Sequence, residues 1–332
     1  MNFSLQRLFD RYSGFLRTLK GVYVLNNLLN SAYLQRNKGL YRQFGLKKSV
    51  FSPIGYQDFR EHSQEVPWID RPNALEHLET LADYQQFSPA LQAKVRQFIQ
   101  EGYLILEGLV AIEEVEALNK EVEQLLDSGK AGFNFTGRKI FNLFEHSQLA
   151  SERFFKRPEL LELLQFLMGK KVIPFQSLNF TVGSEQKAHS DLIHMTTEPP
   201  GYLIAAWYAL EACTPENGPL VYYPGSHRLP FVSTHDYDSG NGTFTLGKDS
   251  NARYEEKIAS LIKEKNLEAK TFLANPGDVL IWHSNLLHAG SPILGKASPG
   301  KEITRKSMVC HYFTEEVICY HEMLQRPAII KN

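Results

Sequence analysis

The chain has 332 residues, of which 43% are hydrophobic and 22% charged, with a formal net charge of −1. This is the profile of a folded soluble protein of one large domain or two ordinary ones, not of a disordered chain. No run of about eighteen uncharged apolar residues occurs, so no spanning helix is expected, and the Arg-studded start lacks the apolar stretch of a signal peptide.

The charge is unevenly placed. Residues 1–48 hold nine Lys/Arg against one acid, Asp10, giving +8, so the remainder sums to −9. Such a basic arm serves an anionic surface or partner, or packs on the acidic body of its own chain. Leu5, Leu8, Phe9, Tyr12, Phe15, Leu16 and Leu19 recur at helical spacing, and a second helix is predicted from Val22 to about Tyr41. The apolar stripe fits core packing or a dimer seam first, and a helix lying on a membrane surface second. Residues 50–87 read as an irregular wrap. Ser88-Pro89 opens a helix to about Gln100, as N-cap and first helical residue. A short strand follows at 103–106, then helices from Ile112 to Leu126 and from Pro158 to Met168.

From Lys171 the pattern changes to short strands separated by turns: 172–180, 202–209, 219–223, 269–273, 278–282 and 303–313. The expected fold class is mainly β with α, a jelly roll flanked by N-terminal helices. The domain division read from this is an arm and wrap over 1–87, then a jelly-roll domain over 88–332. An insertion at about 231–268, with a charged helix from Tyr254 to Lys265, is placed to act as a lid. Cys213, Cys310 and Cys319 show no CxxC spacing and leave one over, which favours a reducing, cytoplasmic setting.

His189 and Asp191 stand two apart. On an extended strand such residues share a face, so both reach one metal ion. A third ligand is needed, and the candidates are His227, His235, His283, His288, His311 and His321. His288 is chosen because it lies just past the strand 278–282, beyond a short turn. Two imidazoles and a carboxylate on one face suit Fe(II) and leave positions open for a cosubstrate and oxygen.

The runs AHSDLIHM, LIAAWYAL, PENGPLVYYPGSHR, PGDVLIWHSNLLHAGS and TRKSMVCHYF, in this order, resemble the phytanoyl-CoA dioxygenase family over roughly residues 95–315. The resemblance implies a double-stranded β-helix using Fe(II) and 2-oxoglutarate, with His189, Asp191 and His288 as metal ligands. It implies that Arg305, seven residues before Tyr312, grips the distal carboxylate of 2-oxoglutarate, a task for which a planar guanidinium is suited. Trp207, Gln176 and Lys139 are the further cosubstrate contacts it suggests. His227 and His283 then fall near the metal without binding it, His194 faces the substrate, and His311 is a satisfied strand histidine. Asp191 implies hydroxylation, since related halogenases carry Ala or Gly there. Two departures stand out: the stretch PILGKASPGKE lengthens the path from His288 to Arg305, and Gly290 stands where some relatives carry Ser, so that one cosubstrate contact is either missing or shifted to Ser291.

The implied activity is hydroxylation of a small-molecule or lipid-like substrate, with 2-oxoglutarate decarboxylated to succinate and CO2. The competing reading is a jelly-roll protein that binds metal in a regulatory role without turnover. Nucleic acid is not an expected partner, because the arm's aromatics lie on its apolar stripe. Location is expected to be cytoplasmic, with peripheral membrane contact through residues 1–48 as the second reading.

Overall fold

The computed structural model describes residues 14–59, 65–134, 137–295 and 303–330. Among these residues the strands are β1 (Tyr103–Leu106), β2 (Lys139–Phe141), β3 (Val172–Phe180), β4 (Thr196–Glu198), β5 (Leu203–Ala209) and β6 (Leu220–Tyr222). They continue as β7 (Lys270–Phe272), β8 (Val279–His283), β9 (His288–Gly290), β10 (Ser307–Thr314), β11 (Ile318–His321) and β12 (Arg326–Pro327). A six-stranded sheet runs β1-β8-β5-β10-β3-β2, and two three-stranded sheets run β7-β6-β9 and β12-β11-β4. Every strand pairing is antiparallel. The architecture is a jelly roll with helices, mainly β with α.

Strand alternation divides the large sheet into two working faces. Ile204, Ala206, Tyr208, Ile281, Met308, Cys310 and Tyr312 face the helices Pro89–Glu101, Ile112–Asp127 and Pro158–Met168 and form the main core with them. The alternate residues Ala205, Trp207, Leu280, Trp282 and Val309 face inward and pack with Leu220, Tyr222 and Phe272 of the opposing small sheet. This interior is where the site forms. Ser88 caps the first of these helices by accepting from the Leu91 amide. Gly102 ends it at φ +83, and a Cβ there would sit 2.5 Å from the His227 ring. Glycine is thus needed twice over at one turn.

Several boundaries differ from the sequence reading. The stretch from Val22 to Tyr41 is three helices, Lys20–Leu29, Ser31–Leu34 and Asn37–Gln43. Much of the supposed irregular wrap is helical, at Ala74–Thr80 and Ala82–Gln86, where Leu78 and Tyr84 supply a buried face. Leu5, Leu8, Phe9 and Tyr12 lie outside the described residues. The short strands β2, β4, β9, β11 and β12 were not anticipated, since two to four residues carry too little periodicity to read. The last long strand starts later than expected, at Ser307.

Candidate metal centre and cosubstrate pocket

His189, Asp191 and His288 come together with one ligand atom each, all within 4.8 Å of one another. Their placement differs in one respect from expectation. His189 and Asp191 do not sit on a strand: His189 makes an isolated bridge to His288, and Asp191 opens a 3₁₀ turn, Asp191–Ile193. The bridge is reciprocal, His189 N donating to His288 O at 3.0 Å and His288 N to His189 O at 2.9 Å. Asp191 N donates to Ser284 O at 3.0 Å, so the backbone itself fixes all three positions.

The imidazoles are oriented by backbone carbonyls. Nδ1 of His189 lies 2.9 Å from Lys187 O, and Nδ1 of His288 lies 3.0 Å from Leu286 O. A carbonyl only accepts, so both Nδ1 atoms carry the proton and both Nε2 lone pairs are free to ligate. Asp191 Oδ2 accepts from Trp282 Nε1 at 2.7 Å, while its Oδ1 lies 3.6 Å from His288 Nε2. Burial alone would raise the Asp191 carboxyl, but His288, His311 and His189 hold it well below the usual carboxylate range. Burial, with His288 and His194 as neighbours, keeps the His189 imidazole neutral. Two Nε2 lone pairs, each set by an Nδ1 proton held on a carbonyl, and a carboxylate are the donor set that Fe(II) takes.

Arg305 is the other notable group. It is only 2% exposed, and its Nε and Nη1 have no hydrogen-bond partner. Its guanidinium lies over the Trp207 ring, 5.5 Å from the centroid. Two residues on, the buried Ser307 hydroxyl is also unpartnered, as is Nδ1 of His311. Residues 305, 307, 309 and 311 share one face of an extended chain, so a row of unsatisfied polar groups runs along the interior with Val309 among them. Buried polar groups left this way cost free energy unless a ligand completes them.

The remaining predicted residues fall nearby with distinct surroundings. Gln176 on β3 pairs in register with His311 on β10, on the same inner face. Lys139 Nζ donates to Gln186 Oε1 at 3.3 Å, and Gln186 Nε2 lies 3.4 Å from His194 Nε2. Burial lowers the Lys139 ammonium, with Asp191 opposing. Burial first, then Lys139, pushes His194 down to about 4.

His311 is not the satisfied strand histidine expected. Its Nε2 approaches Asp191 Oδ2 at 3.6 Å while its Nδ1 has no partner. His227 and His283 lie with rings 5.5 Å apart in a group of their own, where His283 Nε2 is 3.3 Å from Asp70 Oδ2. Gly290 leaves no room for a side chain, because a Cβ would meet Ser184 Oγ at 2.3 Å. Sequence reasoning missed Trp282, Ser307 and Tyr254. The period-two alternation of β8 and β10 carried the signal for the first two. Tyr254 belongs to the inserted helix Ser250–Glu264, and its hydroxyl accepts from Ser190 N at 3.0 Å, between two metal-site residues. Ser226 Oγ accepts from Leu287 N at 2.8 Å, and Asn285 Nδ2 donates to His227 O at 3.0 Å. The PGSH corner thereby braces the loop that carries His288.

Comparison with known proteins agrees with this geometry. The family model described as Phytanoyl-CoA dioxygenase (PhyH) matches residues 98–298; Arg305 lies beyond the matched stretch. The chain is 25% identical over 260 residues to phytanoyl-CoA dioxygenase domain-containing protein 1 of Danio rerio, covering 61% of this chain and 85% of the relative. It is 26% identical over 226 residues to ectoine dioxygenase of Sphingopyxis alaskensis, covering 63% and 73%. The crystal structure of EctD from S. alaskensis with 2-oxoglutarate and 5-hydroxyectoine superposes with a TM-score of 0.53 at 22% identity, covering 74% of this chain and 86% of that one. With more than half of its length matched by the family model, the chain belongs to the phytanoyl-CoA dioxygenase family.

Proposed function

We propose that His189, Asp191 and His288 hold Fe(II), that Arg305 anchors 2-oxoglutarate, and that the protein hydroxylates a small molecule. The reaction class is the family's: the chain is a 2-oxoglutarate-dependent dioxygenase, and the residue roles are our assignment. The observation that carries the assignment is the pairing of an oriented His-Asp-His donor set with a buried, unpartnered guanidinium in the same interior. When bound, the iron and 2-oxoglutarate supply the oxidising chemistry and yield succinate and CO2.

The side chains divide the remaining work. Trp282 and His311 fix the Asp191 carboxylate so that one oxygen faces the ligand position. Arg305 and Ser307 offer donors to a carboxylate, and Trp207 forms the wall behind the guanidinium. Gln176, Lys139 and Gln186 add polar groups beside His311 and His194 for the cosubstrate and substrate. Apolar residues of both sheets surround these groups and exclude water, which strengthens each charged contact. Succinate release from 2-oxoglutarate by the Fe(II)-loaded protein on exposure to oxygen tests the reading. Asp191→Ala is expected to abolish it, and full activity in that variant removes Asp191 from the ligand set.

A non-catalytic role gains no support, because the ligating side chains and the unpaired arginine are all present. Membrane contact is the finer part of the proposal. Helix Lys20–Leu29 is built inside out: Asn27 is buried and donates to Phe51 O, while Leu25, Leu28 and Leu29 are 59%, 48% and 78% exposed. Phe244 of the insertion, 81% exposed, lies beside its start through Lys20 N to Phe244 O. Exposed leucines among cations suit the surface of an anionic bilayer. Among the described residues no helix is long and apolar enough to cross one.

A further inference from the structure

We infer that Arg326, with His321, forms an oxyanion subsite that holds a carboxylate or phosphate group of the substrate, beyond His194 from the metal ligands. The inference rests on the proposed function only for the word substrate; its physical basis is separate. Arg326 on β12 pairs in register with His321 on β11, and antiparallel partners project to the same side. Arg326 Nε is buried with no hydrogen-bond partner. Among the described residues no carboxylate forms an ion pair with its guanidinium; its titratable neighbours are His321 and the neutral Tyr23 phenol of helix Lys20–Leu29. Arg326 as a whole is half-buried, so its guanidinium is open to a ligand while its Nε lacks a partner, and an anion supplies the missing counter-charge.

The sequence explains why the protein supplies no counter-charge. The N-terminal helices cover the opposite face of β11, where Leu34 and Tyr41 pack with Ile318 and Tyr320, and Tyr23 of helix Lys20–Leu29 reaches Arg326 itself. Between Arg11 and Gln57 there is no Asp or Glu at all. Glu322, next to His321, is engaged elsewhere: its carboxylate accepts from Tyr56 N at 2.7 Å and Thr234 N at 3.0 Å.

The subsite connects to the metal centre through rings. His189 and His194 have centroids 5.6 Å apart, and His194 and His321 have centroids 5.8 Å apart. His321 Nδ1 accepts from Leu324 N at 3.1 Å, so its proton sits on Nε2, which donates. A guanidinium and an imidazole N–H are thus placed two ring contacts out from a metal ligand. The substrate class this fits is a molecule whose anionic group is remote from the carbon that is oxidised.

The experiment is calorimetric titration of methyl phosphate, and separately of acetate, into full-length protein holding Fe(II) and 2-oxoglutarate without oxygen. Binding of at least one anion is expected, and the tighter of the two identifies the group. Arg326→Met should weaken that binding at least about tenfold, the loss expected for a charge-assisted pair. It should leave the visible absorption of the Fe(II)–2-oxoglutarate complex unchanged. Because Met keeps the apolar stem and removes only an unpaired charge, the anion-free variant should melt no lower than the parent. Absence of anion binding in the parent, equal binding in Arg326→Met, or a lower melting temperature in that variant overturns the inference. Arg305→Gln separates the two readings: it should require about tenfold or more 2-oxoglutarate and keep the anion, and if it binds 2-oxoglutarate like the parent the cosubstrate assignment falls while the Arg326 subsite stands.

Discussion

At the scale of single residues, the metal site is held by backbone more than by side-chain packing. The reciprocal His189–His288 bridge and the two Nδ1-to-carbonyl bonds set ligand position and tautomer together. Trp282 is the exception, an indole that donates directly to the ligating carboxylate. Groups that orient a metal ligand are typically worth about 10- to 100-fold in metal affinity. Trp282→Phe is therefore expected to weaken Fe(II) binding by about that factor, measured by competition with a chelator, while its circular dichroism stays that of the parent. Unchanged affinity would make Trp282 a core residue only. That His189, Asp191 and His288 would come together was legible in the sequence, because HxD and a distant His are spelled out in the chain. For Trp282 and His311 strand alternation signals only an inward position; their contacts with Asp191 come from pairing across β8, β5 and β10, which no local pattern records.

At the scale of elements, β10 does the most. One face of it closes the main core through Met308, Cys310 and Tyr312, and the other carries Ser307, Val309 and His311 into the interior. The strand itself could be read from sequence, though the parts its inward Ser307 and His311 play could not. The turn at Asp191–Ile193 could not, since HSDL reads equally well as a strand end. The insertion is tied to the metal loop by Tyr254, whose packing with Ile193, Val232, Ile258 and Leu287 makes a small core of its own. The helix Lys20–Leu29 shows the opposite use of apolar residues, with leucines outward. Replacing Leu25, Leu28 and Leu29 together by Ser should abolish sedimentation with liposomes rich in anionic lipid and leave succinate production from 2-oxoglutarate intact. Equal sedimentation of variant and parent, or none for the parent, contradicts membrane contact.

At the scale of the whole molecule, burial of titratable groups links the site to stability. His189, His194 and His321 are held well below the ordinary imidazole value of 6.5, mainly by burial, with His194 at about 4; His227 is held at about 3. The unfolded chain binds these protons near pH 6.5, whereas the folded chain resists them until much lower pH. Their stabilisation is therefore complete above pH 6.5 and is lost as pH falls towards 4, each adding a slope of about 1.4 kcal/mol per pH unit. Melting temperature of the metal-free protein should fall steeply across that window, and a flat profile from pH 7 to 4 contradicts the neutral assignment. The jelly roll itself was legible because short strands with turn residues between them exclude βαβ units. The split N-terminal helices and the folded 74–86 segment were not, because their helices are short and stabilised by what they pack against.

The most direct test of the central claim is an anaerobic titration of the protein with Fe(II) and then 2-oxoglutarate, following the visible band that chelation of iron by 2-oxoglutarate produces. The account predicts a saturable band at one equivalent of each in the parent, its loss in Asp191→Ala, and a requirement for about tenfold or more 2-oxoglutarate in Arg305→Gln. A parent protein that gives no band, or an Arg305→Gln variant that saturates like the parent, contradicts it.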